Sequence, residues 1–363
     1  MENKNLKLNK TSLYDHHVSL NAKMVNFAGY LMPINYDKGI KYEYDSVRND
    51  IGIFDVSHMG VFKVSGKESK SFLNKVLSNN INNLKNNHAL YTLLCNKNGG
   101  VIDDLILYKI NTEFILIVNA SNKEKDLDWL INCKKEKVFI DDISDKTSLI
   151  AIQGPNSREK LEKLFNFNLQ ELEFYACRQV LLNNKEIFIA RTGYTGELGF
   201  EILGDTETIN QMWDTMISLK ISPSGLAVRD VLRIEMGYCL YGHEISETIN
   251  PVDAALGWIL DKNSHFVGSD QVFLESMQKN KIIFIKMLER GIPREGCEIL
   301  QDDKKIGHIT SGTFSYALNI GVGIGFINKS VNNYNNTMLK IRDKIYNIKM
   351  ADRPFLINTS LRK

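Results

Sequence analysis

The stretch Asn98-Gly99-Gly100-Val101-Ile102-Asp103-Asp104-Leu105 sets two adjacent carboxylates into a run that otherwise reads as a buried strand just after a turn. Asn-Gly is a strong hairpin signal, because both central residues of a type I′ turn need positive φ. The flanking runs, Ala89 to Cys95 and Val101 to Ile110, are β-branched, leucine-rich and aromatic enough to be the strands. Successive strand side chains point to opposite faces. Asp103 therefore shares a face with Val101, Leu105 and Leu107, and Asp104 with Ile102, Ile106, Tyr108 and Ile110. Asp104 has the more wholly apolar neighbours. A carboxylate in that setting must be paired, hydrogen-bonded or raised in pKa by desolvation, conditions common at functional sites. An aspartate after a Gly-Gly turn serves about as often to bond turn amides, so this stretch alone names no function.

Working outward, the 363 residues are enough for two or three domains, since single cores stop growing near roughly 250–300 residues. An apolar fraction of 43% can build those cores, and a net charge of +2 provides no field for nucleic acid or an anionic membrane surface. The cysteines Cys95, Cys133, Cys177, Cys239 and Cys297 are odd in number and scattered, which suits a reducing compartment and argues against a disulfide framework. Neither they nor the histidines show metal-ligand spacing, so no metal is expected. Met1 to Asp15 is polar and lysine-rich, unlike a signal peptide, and no run reaches the roughly 18 apolar residues of a membrane span. The cytoplasm is the expected location.

Strand-like and helix-like stretches alternate irregularly, which indicates an α+β protein. Helices are expected over 67–77, 123–132 and 157–164, from Asp205 to Met216, and from Gly225 to about Met236. Strands are expected over 114–119, 147–153, 187–192 and 200–203. After residue 280 the texture changes to short strands with glycine turns, the pattern of a small β-sandwich or barrel. The expected division is 1–280, comprising two interleaved α+β subdomains, and 281–363.

Two more stretches carry chemistry. In Arg191-Thr192-Gly193-Tyr194-Thr195-Gly196-Glu197-Leu198-Gly199-Phe200-Glu201, the close glycines suggest backbone brought near something flat or bulky. Either this is a glycine-rich turn with Glu201 paired to an arginine, or a ligand loop in which Tyr194 stacks on a ring and Glu201 accepts two hydrogen bonds from an amidine-like edge. In the helix from Gly225, Arg229 and Arg233 lie one turn apart beside Leu232 and Met236, a placement more often salt-bridged or solvated than functional.

In order along the chain, these motifs and several others resemble the glycine-cleavage T-protein family of folate-dependent aminomethyltransferases. The resemblance covers nearly the whole chain: Leu13-Tyr14-Asp15-His16-His17, Lys23-Met24-Val25-Asn26-Phe27-Ala28-Gly29, Phe54-Asp55-Val56-Ser57-His58-Met59-Gly60, the Asp103-Asp104 hairpin, Gln153-Gly154-Pro155, the Gly193 to Glu201 loop, the Gly225 helix with Tyr241-Gly242-His243-Glu244, Asn250-Pro251, Leu256-Gly257-Trp258, and Ile309-Thr310-Ser311-Gly312-Thr313-Phe314-Ser315. It implies a multi-domain cloverleaf around a central cavity for tetrahydrofolate, with the C-terminal domain as its small barrel. It also implies a lipoyl-bearing carrier protein as partner, an aminomethyl group as cargo, and methylenetetrahydrofolate and ammonia as products, with no metal. By position, the resemblance makes Asp104 the catalytic carboxylate and assigns folate contacts to Tyr91, Asn119, Tyr194, Glu201, Arg229 and Tyr238, and to Arg362 near the carboxy terminus.

The chain departs from the family pattern at Ser12, Asn26 and Tyr30, and again in the loop Ser315-Tyr316-Ala317-Leu318-Asn319-Ile320, which replaces a Ser-Pro-containing segment. These positions bear on carrier docking more than on the folate site. A folate-binding accessory protein of the iron-sulfur or tRNA-maintenance type would carry Lys-Gly-Cys where Met236-Gly237-Tyr238-Cys239 stands, and would lack the Asp pair. A folate-coupled demethylase module normally accompanies a flavin domain, and none is expected within these 363 residues.

Overall fold

The computed structural model describes residues 8–135, 137–166 and 168–362. The Asp103-Asp104 hairpin forms one end of a five-stranded sheet in the order His88–Cys95, Val101–Ile110, Glu113–Val118, Gly60–Ser65, Phe139–Asp142. A six-stranded sheet faces it, ordered Cys177–Leu182, Lys185–Ala190, Gly199–Asp205, Thr147–Gln153, Gly52–Asp55, Ser222–Pro223. The chain enters the six-stranded sheet at Gly52, crosses to the five-stranded one at Gly60, and returns at Thr147. A small sheet of Asn9–Lys10, Tyr30–Asn35 and Lys23–Phe27 precedes them. Asn280–Met287, Ile320–Asn328, Lys304–Ser315, Glu298–Gln301, Thr337–Ile341 and Lys344–Ala351 close a barrel, which decides the sandwich-or-barrel question. Among the described residues no helix is long and apolar enough to cross a membrane.

Three apolar layers stack through the first two sheets. Helices Ser157–Phe165 and Thr206–Ser218 cover the six-stranded sheet over Ile152, Phe200, Leu161 and the fully buried Trp213. Asp205 caps the second helix, accepting from Thr208 N at 3.1 Å. Tyr108, Ile117, Phe188, Leu203, Val228 and Leu232 fill the space between the sheets. Leu105, Leu107, Leu116, Phe72 and Leu130 form the layer behind the five-stranded sheet.

Two local expectations about the hairpin are corrected. Gly99 has φ +83, but Asn98 has no positive φ, so this is not a type I′ turn. Gly99 N donates to Asn96 O at 3.0 Å, and the Asn96 side chain accepts from Asn98 N and Gly100 N. Lys97 and Asn98 are thus the central residues, with glycine left-handed after them. The register also slips: Leu94 pairs with Asp103 but Cys95 with Val101, leaving Ile102 as a bulge. Ile102 therefore joins the layer of Leu105 and Leu107, not the face of Asp104. From Asp103 onward the expected alternation holds, Leu105 and Leu107 in one layer and Tyr108 and Ile110 in the other; Asp103 is fully buried and Asp104 half-buried.

Candidate functional site

Asp104 faces the space between the sheets, where its two oxygens have separate donors. Tyr91 Oη donates to Oδ2 at 2.9 Å and Asn119 Nδ2 to Oδ1 at 2.8 Å. Both donors belong to the sheet: Tyr91 is on the paired strand and Asn119 directly follows Glu113–Val118. Burial, and then repulsion from Asp103, push the Asp104 carboxyl up to about 7. Asp103, one residue earlier, accepts from Asn119 N at 3.0 Å, Asn119 Nδ2 at 2.9 Å and Asn122 Nδ2 at 2.5 Å. Asn119 therefore bridges the two carboxyls, and Asp103 anchors the loop that holds it.

The glycine-rich loop approaches this floor from the six-stranded sheet. Its glycines make room for the protein's own side chains: a Cβ on Gly193 would lie 2.0 Å from Gln153 Oε1, and one on Gly196, at φ +79, 2.3 Å from Met236 Sδ. Gln153 accepts from Thr195 Oγ1 at 2.9 Å and donates to Thr192 O at 3.2 Å, which locks the loop. Tyr194 is presented with its hydroxyl on Cys239 O, its ring 5.6 Å from that of Tyr238, and the Arg229 guanidinium 4.7 Å from its centroid. Among the described residues Glu201 forms no direct ion pair with an arginine. It accepts from Thr192 Oγ1 at 2.5 Å, Tyr108 Oη lies 3.1 Å from that hydroxyl, and Glu201 acts on Arg229 through space.

The arginines of the Gly225 helix divide. Arg233 is buried and paired with Glu244 at 2.9 Å and Asp230 at 2.8 Å, and it donates to Ser311 Oγ of the barrel at 2.7 Å. Arg229 is half-buried and its Nη1 has no partner among the described residues, nor does Nδ1 of the nearby buried His58. Burial pushes the His58 imidazole down to about 4, so it is neutral. Arg362 arrives from the far end of the chain. Ser360 N and Oγ donate to Glu197 Oε2, Leu198 N donates to Ser360 Oγ, and the Arg362 guanidinium lies 4.4 Å from the centroid of Phe174.

Sequence reasoning missed Tyr175. It holds φ +68, uncommon for a bulky residue, and the charges of Glu201, Arg362 and Asp104 and the Tyr238 phenol all act on its hydroxyl. No pattern marks it, because it lies in an irregular segment. Thr192 and Tyr108 were likewise legible only as loop and core. Open space alone does not mark the site. A groove of about 950 Å³ runs between helix Gly39–Asn49, the divergent Tyr316–Leu318 turn and the tail Phe355–Ser360. Its charged groups, however, already pair with each other, Lys41 with Asp45 and Arg48 with Glu197. Arg229 Nη1 and His58 Nδ1, buried and without a partner among the described residues, lie outside that groove.

Residues 13–264 match the GCVT N-terminal domain and residues 280–356 the glycine cleavage T-protein C-terminal barrel domain. The chain belongs to the glycine cleavage T-protein family. The aminomethyltransferase of Thermosipho melanesiensis is 39% identical over 350 residues, 95% of this chain and 96% of that protein. The aminomethyltransferase of Caldanaerobacter subterraneus subsp. tengcongensis is 40% identical over 96% of both chains. Among solved structures, the glycine cleavage system aminomethyltransferase T from Bartonella henselae superposes with a TM-score of 0.89 at 30% identity, covering 96% of this chain and 98% of that one. The T-protein likeness thus extends through both sheets and the barrel.

Proposed function

We propose that this protein is the aminomethyltransferase of the glycine cleavage system, acting on tetrahydrofolate and a lipoyl-bearing carrier protein. The observation that carries the reading is Asp104. It is a carboxyl poised near neutrality at about 7, held by Tyr91 and Asn119, and it faces a space shared with Glu201, Tyr194 and Arg229. Family membership supports the same reaction.

The residues fit a folate. Glu201 has one oxygen taken by Thr192 and a second left for the amino edge of a pterin, while the unpartnered Arg229 Nη1 and the Tyr194 ring can meet a planar polar group. Bound tetrahydrofolate supplies the nucleophilic amines. In the balanced reaction the carbon of S–CH2–NH2 exchanges its bonds to sulfur and to the amine for bonds to the two folate nitrogens. The two protons those nitrogens lose leave with ammonia and the carrier thiol. Asp104 orients the amine and takes up and returns a proton, which a carboxyl near the working pH does best. Tyr91 and Asn119 keep both of its oxygens aimed, and Tyr238, Arg362 and Tyr194 line the approach. Residues 1–280 hold the folate and residues 281–363 close the site by fixing the Gly225 helix and the tail. A cytoplasmic location suits the five free cysteines. The test is direct: purified protein with tetrahydrofolate and aminomethylated carrier should yield methylenetetrahydrofolate and ammonia in equal amounts. Absence of both products from folded protein overturns the assignment.

A further inference from the structure

Behind the Asp104 floor, on helix Lys123–Cys133, stands a third carboxyl, Asp126. It is fully buried, and among the described residues neither of its oxygens meets an N–H or O–H donor. The polar group it does contact is the Asp103 carboxyl. Two carboxylates are acceptors only, so they can hydrogen-bond only with a proton between them. Asp103 already has three donors, Asn119 N, Asn119 Nδ2 and Asn122 Nδ2, which favour its charged form. Asp126 has none, so the proton belongs to Asp126.

We propose that Asp126 is a neutral carboxylic acid that donates to Asp103 and, through Asp103 and the bridging Asn119, sets the aim and proton affinity of Asp104. It is a positioning residue, and its effect on catalysis rests on the reading of Asp104 given above. The groups that face it agree. Burial and the neighbouring Asp103 and Asp104 charges all oppose ionisation, against Lys125 alone, whose ammonium is occupied by Tyr241 at 2.7 Å and Glu247 at 3.0 Å. The shared proton lets the buried Asp103 stay charged. Asp103 in turn holds Asn119, whose amide reaches Asp104.

Three variants test this. Asp126→Asn keeps a donor in the same place, so the acid limb of kcat/KM against pH stays within about 0.3 of the wild-type position. Asp126→Leu keeps volume but no donor. Asp103 then takes up a proton in its place, its repulsion of Asp104 is lost, and the limb moves to lower pH by about one unit. A limb that moves down in Asp126→Asn identifies Asp126 as an ionised third charge, and an unmoved limb in folded Asp126→Leu identifies it as a bystander; either overturns the proposal. If Asp126→Leu fails to fold, infrared difference spectra still decide. At about pH 9, where Asp104 is ionised, wild type minus Asp126→Asn should show the carbonyl band of a protonated carboxylic acid, and Asp104→Asn should retain it. Absence of that band from wild type overturns the proposal. A band lost with Asp126 while Asp104→Asn remains fully active leaves the proton assignment standing and overturns the catalytic reading of Asp104.

Discussion

Replacing Asp104 with asparagine should make the protein more stable and nearly inactive, and the gain in stability should depend on pH. The carboxyl rises from 3.8 to about 7 on folding. A folded carboxyl with a raised pKa binds more protons than the unfolded chain across that window, so the wild type loses stability as pH climbs from about 4 to about 7. At 1.36 kcal/mol per pH unit, ionisation of this group favours the unfolded chain by about 2 kcal/mol at pH 5 and about 4 kcal/mol at pH 8. Asparagine carries no such term. It retains the size and one acceptor, while the Tyr91 hydroxyl can turn to accept from the new amide, so the hydrogen-bond loss is about 1 kcal/mol at either pH. The variant minus wild-type stability should therefore grow by about 2 kcal/mol between pH 5 and pH 8, read by urea unfolding at both. Transfer to tetrahydrofolate should fall at least about a hundredfold, the range of lost acid–base catalysis. A stability difference equal at the two pH values within about 0.5 kcal/mol would refute the desolvated-carboxyl argument. Full turnover in Asp104→Asn, with Asp103→Asn the more damaging change, would refute the choice of Asp104.

Glu201→Gln or Arg229→Met should each weaken tetrahydrofolate binding by about 1.5–3 kcal/mol in calorimetry, the worth of a hydrogen bond to a charged group, whereas unchanged affinity in folded protein would reduce them to structural residues. Arg48→Met leaves the buried Glu197 and Glu235 carboxylates without their shared cation, so unfolding should come about 3–5 kcal/mol sooner, and a loss under 1 kcal/mol would show that the pair contributes little. A small acidic carrier would be drawn to exposed lysines on a chain of net charge only +2, so added salt should raise the Michaelis constant for carrier and leave folate affinity nearly constant. Both constants moving together, or neither, counts against electrostatic docking.

Much of this protein was decided by local sequence. The periodicity of Thr147–Gln153, the Asp205 cap of Thr206–Ser218 and the glycine before Leu226–Glu235 each act within a few residues, so the elements stand where the pattern puts them. The ordered motifs likewise brought Tyr91, Asn119, Tyr194, Glu201 and Arg229 forward as candidates, because residue type and spacing are properties of the chain. Among the described residues the pattern left several strands unmarked, Lys23–Phe27, Tyr30–Asn35, Gly52–Asp55, Gly60–Ser65, Phe139–Asp142 and Cys177–Leu182 among them, and also Glu298–Gln301, four residues whose pairing on both sides lies in the barrel. What the sequence alone could not decide is how deeply each carboxylate is buried and what it meets. One bulged residue, Ile102, leaves the face of Asp104 for the layer behind the sheet, and that bulge is a property of two strands in register. The unmarked Asp126 meets Asp103 across a helix and a sheet, Tyr175 holds a left-handed backbone in an irregular loop, and Arg362 reaches Phe174 only because Ser360 is bound to Glu197, 163 positions away. Elements follow from neighbours along the chain, whereas burial, proton affinity and the meeting of distant residues follow from neighbours in space.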